Sequence, residues 1–282
     1  MIGFFLALFS AMSFSLNNIF SKDNINKIGV WNTLLVTYFF VSFISFIFAL
    51  IWGNFHHELN YKIILLIIFG GINGMIGIWA LFSSFEKISV AESLAIANFF
   101  PFISLIFFYF FMEKPVRIVD IFIMCFVFIG VLLTLKREKF AFNKFLLFSV
   151  ITAFSWALYY YILAILNDYG ISAMNNTFYI ETGIFISIVI YMHFIKKEMT
   201  LFKFKAESLK NGFFAGLFSV GGIFLYIFSI QKINPSISTS IISSQIMFSS
   251  FFAYVFFKEK LDIRQICGIL IVVIGLALFN IL

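Results

Sequence analysis

Charge is what this 282-residue chain has least of: Asp, Glu, Lys and Arg make up 11% of it, where an ordinary soluble domain carries about 25%. A surface that meets water needs more than that, so most of the outside of this molecule faces an apolar medium. This excludes a cytosolic enzyme, a disordered segment and a nucleic-acid-binding domain. The formal net charge of +6 does not bring nucleic acid back as a partner, because the 19 Lys and Arg are spread thinly between apolar blocks and form no basic face. Cysteine is equally scarce. Cys125 and Cys267 sit inside apolar runs with no CxxC or Cys/His spacing, so neither a disulfide framework nor a zinc site is expected, and both read as small core residues. His56, His57 and Glu58 adjoin, but neighbouring histidines without a third ligand in reach read as solvated, and His193 reads as interfacial. The chain also lacks a P-loop, a hydrolase elbow and a Gly-rich dinucleotide turn, so neither an ATP-driven pump nor an enzyme is expected, and no cofactor is implied.

What the chain has in excess is hydrophobic length. Hydrophobic residues make up 62% of it, with 45 Phe and a mean hydropathy of +1.07. The Phe bulk reads as lipid-facing surface and carries no functional signal of its own. Apolar runs near 20 residues, enough to cross a ~30 Å hydrocarbon layer at ~1.5 Å per residue, recur ten times. Their limits are 2 to 20, 31 to 52, 63 to 84, 90 to 111, 118 to 135, 142 to 164, 176 to 195, 211 to 230, 236 to 257 and 265 to 282. Barrel strands are excluded, since these runs are continuously apolar and longer than the ~9 to 11 alternating residues of a spanning strand. The first run is not expected to be a cleaved signal peptide, because Met1 to Gly3 provides no basic segment before it. The expected fold class is an all-α integral membrane protein of ten transmembrane helices, multi-pass in the cell membrane, with the lipid bilayer as its main solvent.

Positive charge sets an expected orientation. Only Lys62, Lys114, Arg117 and Lys232 lie on the side of the even-numbered loops, and the other 15 Lys and Arg follow runs 1, 3, 5, 7 and 9. Positive residues stay on the cytoplasmic side during insertion, so this bias puts both termini on the opposite side.

An internal repeat is visible at a spacing of 145 residues. Gly71, Gly77, Ser84, Lys87, Ser93, Ser104, Tyr109 and Gly130 fall opposite Gly216, Gly222, Ser229, Lys232, Ser238, Ser249, Tyr254 and Gly275. A shorter echo sets Phe14-Ser15 against Phe154-Ser155. The units are expected over residues 1 to 138 and 139 to 282, five runs each. An odd number of crossings turns the second unit upside down in the membrane, the architecture of an alternating-access carrier with its site between the repeats.

Polar side chains within a span cost free energy unless paired or hydrated, about 2.5 to 3.5 kcal/mol for a central charge, so each needs a reason. Asn17 and Asn18 interrupt run 1, Glu92, Ser93, Asn98 and Pro101 lie in run 4, and Trp156 with Tyr159, Tyr160 and Tyr161 in run 6. Run 7 has Glu181, and run 9 has eight hydroxyls from Ser236 to Ser250 together with Gln245. Pro101 removes a backbone donor and frees the carbonyl of Ala97, a break that can face a cavity. Asn98, within a turn of it, suits a polar substrate group, a kink carbonyl or a neighbouring helix. Glu92 near the run boundary suits a hydrated interfacial carboxylate or a proton-coupling or substrate-amine site. Glu181 lies about 8 Å into its run at ~1.5 Å per residue, where desolvation disfavours its charge and a proton-coupling role fits. The hydroxyl stripe of run 9 and Gly70, Gly71, Gly74 and Gly77 of run 3 read as close helix packing. Trp156 and Tyr159 or Tyr160, three or four residues apart, share a face that can stack on a flat ligand or hold a cation.

Three segments resemble the EamA-type family of the drug/metabolite transporter superfamily, and the resemblance covers essentially the whole chain. AMSFSLNNIFSK at 11 to 22 is similar to its first helix, with Asn17 and a closing Lys22; KISVAESLAIANFFPFISLIFFYFFMEK at 87 to 114 resembles its fourth, with Glu92, Pro101 and Glu113. The partner of the second segment ends in FFKEKLDIRQICGILIVVIGL at 256 to 276. The resemblance implies two inverted five-helix repeats around a central cavity and secondary transport of small organic metabolites, often amino-acid efflux. AESLAIANFFP at 91 to 101 and TAFSWALYY at 152 to 160 look closest to the aromatic amino-acid exporter branch. Phe14 stands where the family usually has Trp, and the charge bias puts the termini outside where the family commonly keeps them inside. The expected partner is a small-molecule substrate, with Asn17, Asn98, Trp156, Tyr159 and Gln245 as contacts and Glu92 or Glu181 as proton sites. A multidrug or nucleoside-type exporter of the same fold and a non-transporting membrane scaffold are the competing readings.

Overall fold

Continuous apolar runs leave the backbone no partner but itself, and every regular element among the described residues is helical. The computed structural model describes residues 1–53, 59–88, 90–133, 144–197, 204–258 and 262–281. His56, His57 and Glu58 lie outside the described residues. Six helices make up the first half: α1 (Ile2–Ile28), α2 (Val30–Trp52), α3 (Tyr61–Phe85), α4 (Val90–Ala97), α5 (Phe100–Met112) and α6 (Ile118–Leu133). The second half has α7 (Lys144–Asp168), α8 (Ala173–Ile190) with a π-helical turn over Tyr191–Lys196, α9 (Ala206–Ile230), α10 (Pro235–Ile242), α11 (Gln245–Phe257) and α12 (Ile263–Ile281). Seven helical segments are long and apolar enough to cross a membrane: α1, α2, α3, α7, α8 with its π turn, α9, and α10 and α11 taken together. α5, α6 and most of α12 are shorter apolar helices.

Runs 4 and 9 each divide into two helices, and the limits of α4 and α5 match those of α10 and α11 at the 145-residue spacing. Both breaks tighten in the same way. Phe99 N donates to Ile96 O at 3.1 Å and Phe102 N to Phe99 O at 3.2 Å; Ser244 N donates to Ile241 O at 3.0 Å and Met247 N to Ser244 O at 2.9 Å. These are three-residue turns of the 3₁₀ kind. The break expected at Pro101 falls two residues earlier, at Asn98 and Phe99, and Pro101 instead occupies the first turn of α5, where a missing N–H is tolerated. Ile246 is its counterpart in α11, so proline is not what makes the break.

The two halves are interleaved. α3 packs against α7 and α8, and its counterpart α9 packs against α1 and α2; α2 also meets α8, and α6 pairs with α12. Glycine permits the closest of these approaches. A Cβ on Gly71 would lie 2.6 Å from the carbonyl carbon of Gly183 in α8, and one on Gly216 would lie 2.9 Å from Phe40 Cβ in α2. The expectation that run 3 uses its glycines for packing therefore holds. One hydroxyl pair is repeated too: Ser84 Oγ donates to Ser93 Oγ at 2.8 Å and Ser238 Oγ to Ser229 Oγ at 2.9 Å.

The 145-residue register extends to α1 and α7, which corrects the shorter echo. Ser10 Oγ donates to the carbonyl of Gly222, and its counterpart Ser155 stands against Gly77, with its Oγ 2.3 Å from where a Cβ would be. Ser15 therefore corresponds to Tyr160, not Ser155. Ser15 Oγ donates to Gln245 O at 2.6 Å, and Tyr160 stacks on Phe100, the counterpart of Gln245, at 5.0 Å.

The outer surface is apolar, with Phe9, Phe43, Phe122 and Phe154 among many exposed large side chains. That is the expected place for the Phe bulk. Cys125 and Cys267 are also exposed, contrary to the expectation of a core role. A bilayer-facing surface is as apolar as a core, so a small apolar residue in a hydrophobic run fits either side. His193 is exposed at the end of α8, in keeping with its expected interfacial place.

Candidate functional site

Polar side chains from both halves converge on one cavity in the middle of the helices. α1 contributes Phe14, Asn17 and Asn18, each about half-way along a helix of 27 residues. α7 contributes Trp156, Tyr159 and Tyr160, the consecutive-turn aromatic face expected from their spacing. Glu181 and Ile184 come from α8, Tyr38 from α2, Gly74 and Ile78 from α3, Ser219 and Ile223 from α9, and Gln245 from the first position of α11. The space there that the centre of a water-sized sphere can reach is about 60 Å³, room for several water molecules.

Among the described residues Glu181 is the acidic residue of this lining, and no Lys, Arg or His shares it. It is 1% exposed. Tyr159 Oη donates to its Oε1 at 2.5 Å, while Oε2 is buried without a hydrogen-bond partner. A buried acceptor left unpaired costs about 1 to 3 kcal/mol, more if charged, so this oxygen is set up for a donor that the protein does not itself supply. Helices α2 and α8 are joined beside it by Ser42 and Thr182, whose hydroxyl oxygens lie 2.8 Å apart.

The amides divide into anchored and free. Asn17 Nδ2 donates to Ala215 O of α9 at 2.8 Å, which binds the first half to the second at the cavity wall. Asn18 lines the cavity and makes no hydrogen bond among the described residues. Gln245 Nε2 donates to Asn98 Oδ1 at 3.1 Å, and the Nδ2 of Asn98 is buried and unpaired. Trp156 packs edge-on against Phe100 with centroids 5.7 Å apart.

Of the residues singled out in the sequence, Asn17, Trp156, Tyr159, Glu181 and Gln245 line the cavity together. Asn98 does not; it stands behind Gln245 and holds it. The side chain of Glu92 lies outside the described residues. Of the eight hydroxyls of run 9, Ser238, Thr239, Ser240 and Ser243 donate hydrogen bonds, Thr239 and Ser240 both to Ser236 O at 3.0 and 2.7 Å, while Ser236, Ser244, Ser249 and Ser250 Oγ are buried without a partner among the described residues. Lys22, the closing lysine of run 1, donates to Phe85 O at the end of α3.

Sequence reading missed α2 and α8 as walls and with them Tyr38. A signal was available: Thr33, Thr37, Tyr38 and Ser42 recur at helical spacing in an otherwise apolar run, marking one inward face. Run 4, expected in the wall through Asn98, contributes no lining residue among the described ones. Among the described residues no three His, Cys, Asp or Glu side chains gather to hold a metal ion.

The model of the EamA-like transporter family matches residues 1–136 and again 143–281, once for each half. A solved crystal structure has the same fold: at 14% sequence identity it superposes with a TM-score of 0.78, over 98% of this chain and 96% of that one. No curated protein matches the sequence significantly.

Proposed function

The chain belongs to the EamA-like transporter family, and from that premise we propose that it is a secondary transporter exporting small amino acids or similar metabolites by alternating access. The observation that carries this is the convergence of Asn17, Trp156, Tyr159, Glu181 and Gln245, drawn from both halves, on one mid-helix cavity. Such a site between two repeats is what rocking of one repeat against the other exposes to each side in turn. In this reading the chain crosses ten times: the seven long segments, α4 and α5 as one broken crossing, α6 and α12. Each repeat then has five crossings and the second is inverted, with the Lys-rich loops in the cytoplasm and both termini outside the cell membrane.

Substrate recognition falls to the amides of Asn17, Asn18 and Gln245, which offer neutral partners to a carboxylate, and to the aromatic wall. Asn98 acts by positioning Gln245. Glu181 is the proton-coupling residue, because it is a buried carboxylate within the lining that keeps one oxygen open. Proteoliposomes loaded with unlabelled amino acids test the reading. Labelled amino acid should accumulate by counterflow, faster with a pH gradient; no accumulation under either condition contradicts it.

A further inference from the structure

Resting on the cavity's being the transport site, we propose that Glu181 is an ammonium site, and that the protein recognises its substrate by a primary ammonium group carried on a small apolar body. Five observations lead there. Among the described residues the lining has one carboxylate and no basic side chain, so a cationic group on the substrate meets a countercharge there and an anionic group does not. Tyr159 occupies only Oε1, and Oε2, the second acceptor, has no protein donor. Glu181 itself is almost fully buried, where a cationic donor fills such an oxygen far more effectively than a neutral one. Tyr38 and Tyr159 line the same cavity as the carboxylate, Tyr159 in hydrogen-bond contact with it, and aromatic rings favour a bound cation. Beyond them Phe14, Ile184 and Ile223 supply an apolar wall for the rest of the molecule.

The ammonium group is thus the element the site demands, and a carboxylate is one it tolerates through the neutral amides. An amine should bind without its carboxylate, whereas a carboxylate should not bind without its amine.

Isothermal titration of the purified full-length protein with leucine, isoamylamine and isocaproate tests this, since the last two are leucine without its carboxylate and without its amine. Leucine and isoamylamine should bind, and isocaproate should bind at least about tenfold more weakly. Glu181→Gln should shrink that preference to about threefold or less. Equal binding of isoamylamine and isocaproate to the unaltered protein, or binding of none of the three, overturns the proposal, whether or not the variant folds. A folded Glu181→Gln protein that keeps the tenfold preference also overturns it. Leucine counterflow is measured alongside: the preference without counterflow contradicts transport but leaves the ammonium site standing. Counterflow with equal binding of the two fragments does the reverse.

Discussion

Asn98 of the first repeat accepts a hydrogen bond from Gln245 of the second, and the 3.1 Å contact ties together two helix breaks that occupy the same position in each repeat. Gln245 reaches the cavity from the first position of α11, whereas Asn98 closes the last turn of α4 by donating its backbone N–H to Leu94 O at 2.7 Å. The pair therefore couples the cavity wall to the joint between the repeats.

Asn98→Leu should test that coupling. It leaves Gln245 Nε2 unpaired, so stability should fall by about 1 to 3 kcal/mol, and counterflow should slow several-fold. Adding Gln245→Leu should cost less than the sum of the two single changes by about 0.5 kcal/mol or more, because the orphaned group is then gone. Thermal unfolding of the three variants measures this; strict additivity would show that the two residues act separately.

Tyr159→Phe removes the donor that Glu181 has among the described residues and leaves the ring in place. Hydrogen bonds to a charged group contribute about 1.5 to 3 kcal/mol, so apparent substrate affinity should change by about tenfold or more. The concentration dependence of counterflow reads it. An unchanged KM would mean that Glu181 needs no orientation from Tyr159.

Two glycines should respond in opposite ways. Gly71→Ala places a Cβ 2.6 Å from the backbone of Gly183 and should destabilise the protein by about 1 to 3 kcal/mol by forcing α3 and α8 apart. At Gly221 the nearest atom, Ser13 Oγ, is 4.0 Å away, so Gly221→Ala should be neutral or gain up to about 1 kcal/mol of helix propensity. Melting temperatures in detergent compare them. Equal shifts would deny that the glycines of the repeat mark close contacts.

The ion pairs at the helix ends should matter little to stability. Lys27 Nζ lies 2.8 Å from Glu207 Oε1 and Lys114 Nζ 2.7 Å from Asp168 Oδ2, and all four side chains are substantially solvent-exposed. Glu207→Gln and Asp168→Asn should each shift stability by less than about 1 kcal/mol. A larger loss in the thermal melt would make these pairs structural fasteners.

The fold was legible because a bilayer demands it: long apolar runs must be helices, and the spacing of Gly71, Ser84 and Ser93 from Gly216, Ser229 and Ser238 exposed the duplication. Rotation of each helix was not. In water an apolar face points inward, but here both faces are apolar, so Cys125 and Cys267 read equally well as core or lipid surface and proved to be surface. For the same reason α2 and α8 went unrecognised as walls, and only their sparse polar residues indicate the inward side. Glu181 and Tyr159 could be singled out as unusual residues; that they meet at 2.5 Å depends on the angle between α7 and α8, which no local pattern records. The second break was hidden because Ile246 carries none of the signal that Pro101 gives.

The central claim is that the chamber lined by both repeats opens to each side in turn. Ser219 lines it from α9. A single cysteine introduced there as Ser219→Cys, with Cys125 and Cys267 changed to Ala, can be probed with a membrane-impermeant thiol reagent applied to either face of oriented vesicles. The account predicts labelling from both faces, with transported substrate shifting the ratio. Labelling from one face only, unmoved by any substrate, or from neither, would contradict it.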